Sequence, residues 1–157
     1  MTQPAPATPR PSATIVMVRA SDAGPEVLLV KRRAGDAFGN AYTFPGGVID
    51  PDESDARPVC SGLSEEEANA ILGVDHGLDY YTAVIRELFE ETGILLVRDA
   101  DGHWPADVSE FAGQRVAVDR CELAWSDFLR REGFCMAVDA LHYFAWWITP
   151  VNSPKRW

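Results

Sequence analysis

The stretch AVIRELFEETGILL, residues 83–96, decides how the chain is read. At about 100° per residue, Glu87, Glu90 and Glu91 fall within an arc of about 100°, while Tyr81, Val84, Ile85 and Leu88 occupy a separate one. This spacing predicts a helix from about residue 79 to 92, with a carboxylate face beside a core face and Gly93 as its left-handed stop. Three like charges on adjacent turns repel, each pair costing roughly a few tenths of a kcal/mol. Their place near the helix C-terminus, where the dipole disfavours anions, adds about 0.5 kcal/mol. Such a face is ordinarily just solvated surface. A hard divalent cation would turn the repulsion into attraction, because Mg²⁺ takes oxygen ligands and often joins a few carboxylates to substrate phosphates. Arg86, one turn before Glu90, is spaced to hold its carboxylate.

Upstream lies FPGGVIDPDESD, residues 44–55, in which Pro45, Gly46 and Gly47 precede the acidic residues Asp50, Asp52, Glu53 and Asp55. Proline and paired glycines are expected to interrupt regular structure here. The turn lacks the G-K-[ST] ending of a nucleotide P-loop.

Together the two stretches resemble the Nudix box, G-x5-E-x7-R-E-U-x-E-E-x-G-U with U aliphatic. Gly47 and Glu53 match the first half, and Arg86, Glu87, Leu88, Glu90, Glu91, Gly93 and Ile94 match the second. The departure is that 32 residues, 54 to 85, stand where the pattern has seven. Loops absorb insertions of this kind because closure entropy grows only with the logarithm of length. An insertion at this point, about residues 54–78, is similar to the Nudix branch of the animal peroxisomal coenzyme A diphosphatases. VLLVKRRAGDAFGNAYTFPGGVID and WWITPVNSPKRW extend the similarity, although Phe38 and Gly39 do not reproduce the coenzyme A signature ahead of FPGG.

The resemblance implies an α/β/α sandwich, an α+β arrangement with a mixed β-sheet. It also implies hydrolysis of a nucleoside diphosphate linked to X with Mg²⁺ or Mn²⁺, coenzyme A or an acyl derivative being the favoured substrate. ADP-ribose, nucleoside diphosphate sugars and dinucleotides are alternatives, as is a Nudix-fold module that binds a nucleotide without hydrolysing it. By the same resemblance, Glu87, Glu90, Glu91 and the Gly46 carbonyl hold metal; Glu87, Glu90 and Arg86 serve catalysis, Arg86 by orienting the carboxylates. Gly47, Arg33 and Glu53 are assigned to substrate. The general base is either one of these glutamates or a residue from a later loop. The family continues past a PKRW-like motif into a further strand and helix, so a chain ending at Trp157 is expected to be incomplete at its C-terminus.

Bulk properties agree with a small-molecule enzyme. The 157 residues suit one domain, and 14 basic against 24 acidic residues give a net charge of -10, which disfavours nucleic acid and anionic membranes as partners. An anionic nucleotide can still bind if cations bridge the two. Cys60, Cys121 and Cys135 lack C-x-x-C spacing, no apolar run is long enough to span a bilayer, and the N-terminus has no apolar leader; a cytoplasmic setting is expected. A homodimer is expected only as a base rate for small enzymes. His76, His103 and His142 show no shared metal spacing, and DADG, residues 99–102, reads as a turn.

Residues 1–12, Pro/Ala-rich, are expected to be disordered, with the domain over 13–157. TIVMVR and VLLVKR read as a hairpin, and LHYFAWWITP, 141–150, as a strand. Ser64–Leu72 carries a capping box and reads as a short helix, and 120–133 as an amphipathic one. The segment 107–118 gives mixed signals, with a helix over part of it. Trp104, Trp125, Trp146, Trp147 and Phe144 are expected in the core, with one aromatic available to stack on an adenine.

Overall fold

The computed structural model describes residues 7–35, 39–153 and 156–157. Residues 1–6 of the expected disordered N-terminus, Phe38 of the segment compared with the coenzyme A signature, and Pro154 and Lys155 of the terminal motif lie outside the described residues.

The chain opens with β1 (Ser12–Thr14), β2 (Val18–Ser21) and β3 (Gly24–Val27), the last two forming an antiparallel hairpin around a tight turn at Asp22 and Ala23. A hairpin is expected from the sequence, but between 14–19 and 27–32; the observed ladder falls mostly in the stretch between them. Next come β4 (Val30–Lys31) and β5 (Tyr42–Thr43), paired antiparallel, and β6 (Gly46–Val48), which pairs antiparallel with β1. A 3-10 helix, Pro51–Val59, leads into β7 (Cys60–Ser61). Helices α1 (Glu65–Leu72) and α2 (Gly77–Thr92) follow, then β8 (Val97–Arg98), α3 (Ala112–Asp119), α4 (Trp125–Glu132) and β9 (Cys135–Ala137). Strand β9 lies between β7 and β8, parallel to the first and antiparallel to the second, so the fold is α/β with mixed strand pairing.

Local chemistry explains both predicted helices of the box region. The Ser64 hydroxyl accepts from the Glu67 N–H at 3.2 Å while the Glu67 carboxylate accepts from the Ser64 N–H at 2.8 Å, the reciprocal pair that satisfies two orphan donors at the start of α1. Helix α2 ends at Gly93, whose φ of 79° suits a residue without Cβ and lets its N–H reach the Phe89 carbonyl. It starts at Gly77, two residues before the expected 79, because the Asn69 side chain at the end of α1 accepts the Gly77 N–H at 2.6 Å.

Helix α2 is the centre of the core. Leu78, Tyr81, Val84, Ile85, Leu88 and Phe89 are buried, and Phe89 stacks on Phe128 of α4 with centroids 5.4 Å apart. The helix packs against β1, β6, the 3-10 helix, α1 and α3, which places its remaining face beside the Gly46–Gly47 bend.

Four expectations are corrected. Gly46 and Gly47 do not break regular structure: they form β6, because pairing with β1 satisfies the backbone that glycine leaves uncovered. Ordered backbone begins before residue 13, since the Ile49 N–H donates to the Pro11 carbonyl at 3.1 Å and Ser12 pairs with Val48. The segment 141–150 is no strand: no ladder accepts it among the described residues, and Phe144 stands 88% and Trp146 73% exposed. Of the aromatics expected in the core, Trp125 alone is buried, with its indole N–H on the Met136 sulfur, whereas Trp104 and Trp147 are exposed with Phe144 and Trp146.

Candidate active site

The carboxylate face of α2 is organised by Arg86, whose side chain is only 9% exposed. Its Nε donates to Glu53 at 2.8 Å, its Nη1 to both Glu90 oxygens at 2.9 and 3.0 Å, and its Nη2 to the Val48 carbonyl at 3.3 Å. Glu87 and Asp50 stand against the same guanidinium at 3.1 and 3.4 Å. One cation therefore serves four carboxylates. Burial opposes its charge, yet Glu53, Glu90 and Glu87 outweigh that and hold it above the ordinary arginine range.

The remaining carboxylates converge on the glycine bend. Glu91 accepts from the Gly46 N–H at 3.2 Å, and the Glu87 carboxyl lies so close over Gly47 that a Cβ there would overlap it. Burial pushes Glu87, Glu90 and Glu91 up; Arg86 opposes this at Glu87 and Glu90, while at Glu91 the Gly46 N–H and the Arg32 charge do so. The Glu91 charge pushes Glu87 up further. The donor set is all oxygen, crowded, partly desolvated and short of positive charge. Those properties fit a hard divalent cation such as Mg²⁺ or Mn²⁺.

The structure sorts the sequence candidates. Arg86, Glu87, Glu90, Glu91, Gly46 and Gly47 are brought together. Glu53, 3% exposed, accepts from Arg86 Nε and so braces the guanidinium from the side of the 3-10 helix. Arg33 is exposed, and of Lys31, Arg32 and Arg33 it is Arg32 whose charge acts on Glu91; the Arg32 N–H extends the β4–β5 pairing by donating to the Ala41 carbonyl at 3.0 Å. Glu90 spends both oxygens on Arg86. Asp50, which faces the Arg86 guanidinium, was missed, although it sits in the acidic stretch after the glycines, a feature that could have singled it out.

The insertion leaves this arrangement intact. Arg57, within it, donates to both oxygens of Asp79 at 2.5 and 2.7 Å, and Arg130 of α4 donates to the Asp55 carbonyl. These bonds fasten the 3-10 helix to α2 and α4, so Glu53 reaches Arg86 although 32 residues part them.

Elsewhere, Asp99, Asp101 and His103 present possible metal-ligating atoms within 4.8 Å of one another. Oδ1 of Asp99 already accepts the N–H groups of Asp101 and His103 at 3.0 and 2.9 Å, the pattern of an Asx turn on an exposed loop. It is a turn, as the sequence indicated.

The two glycines of the bend separate stability from site geometry. Gly46, at φ 152°, has no room for a side chain: a Cβ would meet the Ala13 carbonyl and would lie 2.7 Å from Thr14 Cα, both backbone. Gly46→Ala should therefore lower unfolding free energy by about 2 kcal/mol or more. At Gly47 the obstacle is the end of the Glu87 side chain, which can swing away. Gly47→Ala should change stability by less than about 1 kcal/mol yet weaken Mn²⁺ binding at least about 10-fold. Urea titration and Mn²⁺ titration of both variants check the contrast.

No protein-family model matches the chain. Among solved structures it is similar to a NUDIX hydrolase from Alicyclobacillus acidocaldarius, with a TM-score of 0.65 and 22% sequence identity over 95% of this chain and 66% of that one. The chain thus spans just under two thirds of that protein's length and has its fold.

Proposed function

We propose that the chain is a metal-dependent Nudix hydrolase that cleaves the diphosphate of a nucleotide linked to a second group, with coenzyme A or an acyl-coenzyme A as the favoured substrate. The observation that carries this reading is the convergence of Glu87 and Glu91 on the Gly46–Gly47 bend, with Arg86 bridging Glu53 and Glu90 behind them.

Glu87 and Glu91, with the Gly46 carbonyl, would hold the cation, and Glu90 would join them by releasing one oxygen from Arg86. When bound, Mg²⁺ or Mn²⁺ neutralises diphosphate charge and lowers the pKa of water. Arg86 keeps the carboxylates aligned, anchored in turn by Glu53 and the Val48 carbonyl. Gly47 lets Glu87 approach the bend, and Arg32 supplies positive charge beside Glu91, where a substrate phosphate would arrive. In the reaction water adds to one phosphorus and the bridging oxygen leaves with the other. From coenzyme A the products are adenosine 3′,5′-bisphosphate and phosphopantetheine.

The test is a panel of coenzyme A, acetyl-coenzyme A, ADP-ribose and a dinucleoside polyphosphate, with Mg²⁺, Mn²⁺ or EDTA and products identified by mass spectrometry. Metal-dependent release of adenosine 3′,5′-bisphosphate is expected. Metal-dependent turnover of ADP-ribose alone would retain the hydrolase and replace the substrate. Binding without turnover of any member, by folded protein, would overturn catalysis in favour of a nucleotide-binding module.

A further inference from the structure

We propose that Arg115 is a positioning residue for the carboxylate site: it fixes, through the backbone, Glu90 and Glu91, two of the residues that would hold the cation. The proposal rests on the metal-site reading above. Arg115 Nε donates to the Glu90 carbonyl at 2.8 Å and Nη2 to the Glu91 carbonyl at 3.0 Å.

The last carbonyls of a helix have no N–H partner within it. At the end of α2, the Leu88 carbonyl accepts the Thr92 hydroxyl at 2.6 Å and the Phe89 carbonyl accepts the Gly93 N–H at 2.8 Å. Those of Glu90 and Glu91 are taken by the two arms of one guanidinium, a rigid fork that fixes spacing as well as charge. The Arg115 guanidinium also lies where the helix dipole is negative, the end at which Glu90 and Glu91 are otherwise least favoured.

The position of Arg115 is built into the fold. Val118, three residues after it on α3, is buried in the core, as is Phe111 just before the helix, and α3 packs against α2, so the face that Val118 shares with Arg115 is turned inward. Glu90 is thereby held at both ends, its carboxylate by Arg86 and its backbone by Arg115. The Glu91 carboxylate accepts from the Gly46 N–H, and the backbone from which it projects sets where that carboxylate can reach.

A helix cap alone would alter stability and nothing else; a positioning residue also alters cation affinity in protein that is fully folded. The experiment is Mn²⁺ titration, followed by the electron paramagnetic resonance of free Mn²⁺, on the parent, Arg115→Ala, Arg115→Gln and Arg115→Lys, with folding checked by circular dichroism. The expected result is affinity about 10-fold weaker in the alanine and glutamine variants, the loss typical when a group supporting metal ligands is removed. Lysine should recover part of it, since it restores charge but not the fork. Hydrogen exchange should rise across residues 88–94 in Arg115→Gln. Parent-like Mn²⁺ affinity in folded Arg115→Gln would overturn the proposal while leaving the metal site standing. A parent that binds no Mn²⁺ would overturn the metal-site reading itself.

Discussion

Replacing Glu91 by glutamine should lower metal-dependent diphosphate hydrolysis by more than about 100-fold without unfolding the protein. Glutamine keeps the length and shape of the side chain, and its carbonyl oxygen can still accept the Gly46 N–H that Glu91 accepts at 3.2 Å. What disappears is the charge. Burial already disfavours that charge in the empty site, raising the Glu91 pKa against the opposing pull of the Gly46 N–H and Arg32. The variant should therefore unfold at the same urea concentration as the parent or a higher one. Residues that merely support metal ligands cost about 10–100-fold when removed, so a ligand itself should cost more. Steady-state rates for parent and variant over a range of Mg²⁺ concentrations, with matched urea curves, check both halves. Equal turnover would remove Glu91 from the site.

The second large effect is on stability. Arg86→Ala should lower unfolding free energy by about 3–5 kcal/mol, the range seen when one partner of a buried ion pair is deleted. Glu53 would be left with its side chain 2% exposed and its Arg86 hydrogen bond gone, and Glu90 would lose both of its contacts. Domains of this size commonly have about 5–15 kcal/mol in total, so much of the stability would go and the melting temperature should fall by roughly 10 °C. Glu53→Gln should cost less, because the amide oxygen still accepts from Nε while the buried negative charge is removed. A double-mutant cycle between the two positions isolates their coupling. A melting temperature for Arg86→Ala within a degree or two of the parent would mean that Arg86 does not organise the cluster.

The two box helices were legible because their information is local. A 3.6-residue period sorted Glu87, Glu90 and Glu91 from Ile85 and Leu88, and Ser64 with Glu67 wrote the start of α1 in adjacent side chains. That Arg86, Glu87 and Glu91 would meet the glycines and Glu53 was legible through the fixed spacing of the two half-motifs, even across the insertion. What failed depended on distant partners. β-propensity measures fit to a pleated, half-buried surface, so LHYFAWWITP read as a strand although no neighbouring ladder takes it. Conversely, Cys135–Ala137 is too short to show a period of two, yet it pairs on both sides and lies inside the mixed ladder. Gly46 and Gly47 read as punctuation because their ladder partner, Ala13 with its neighbours, lies over 30 residues away. Arg115 left no trace because its acceptors are backbone carbonyls, which carry no side-chain pattern.

The most direct measurement is the anomalous scattering of Mn²⁺ in crystals of the protein grown with the metal and a non-hydrolysable diphosphate. A peak is expected between the Glu87 and Glu91 carboxylates and the Gly46–Gly47 bend, with the diphosphate on its open side. A peak confined to the Asp99–His103 turn, or none within ligand distance of Glu87 and Glu91, would contradict it.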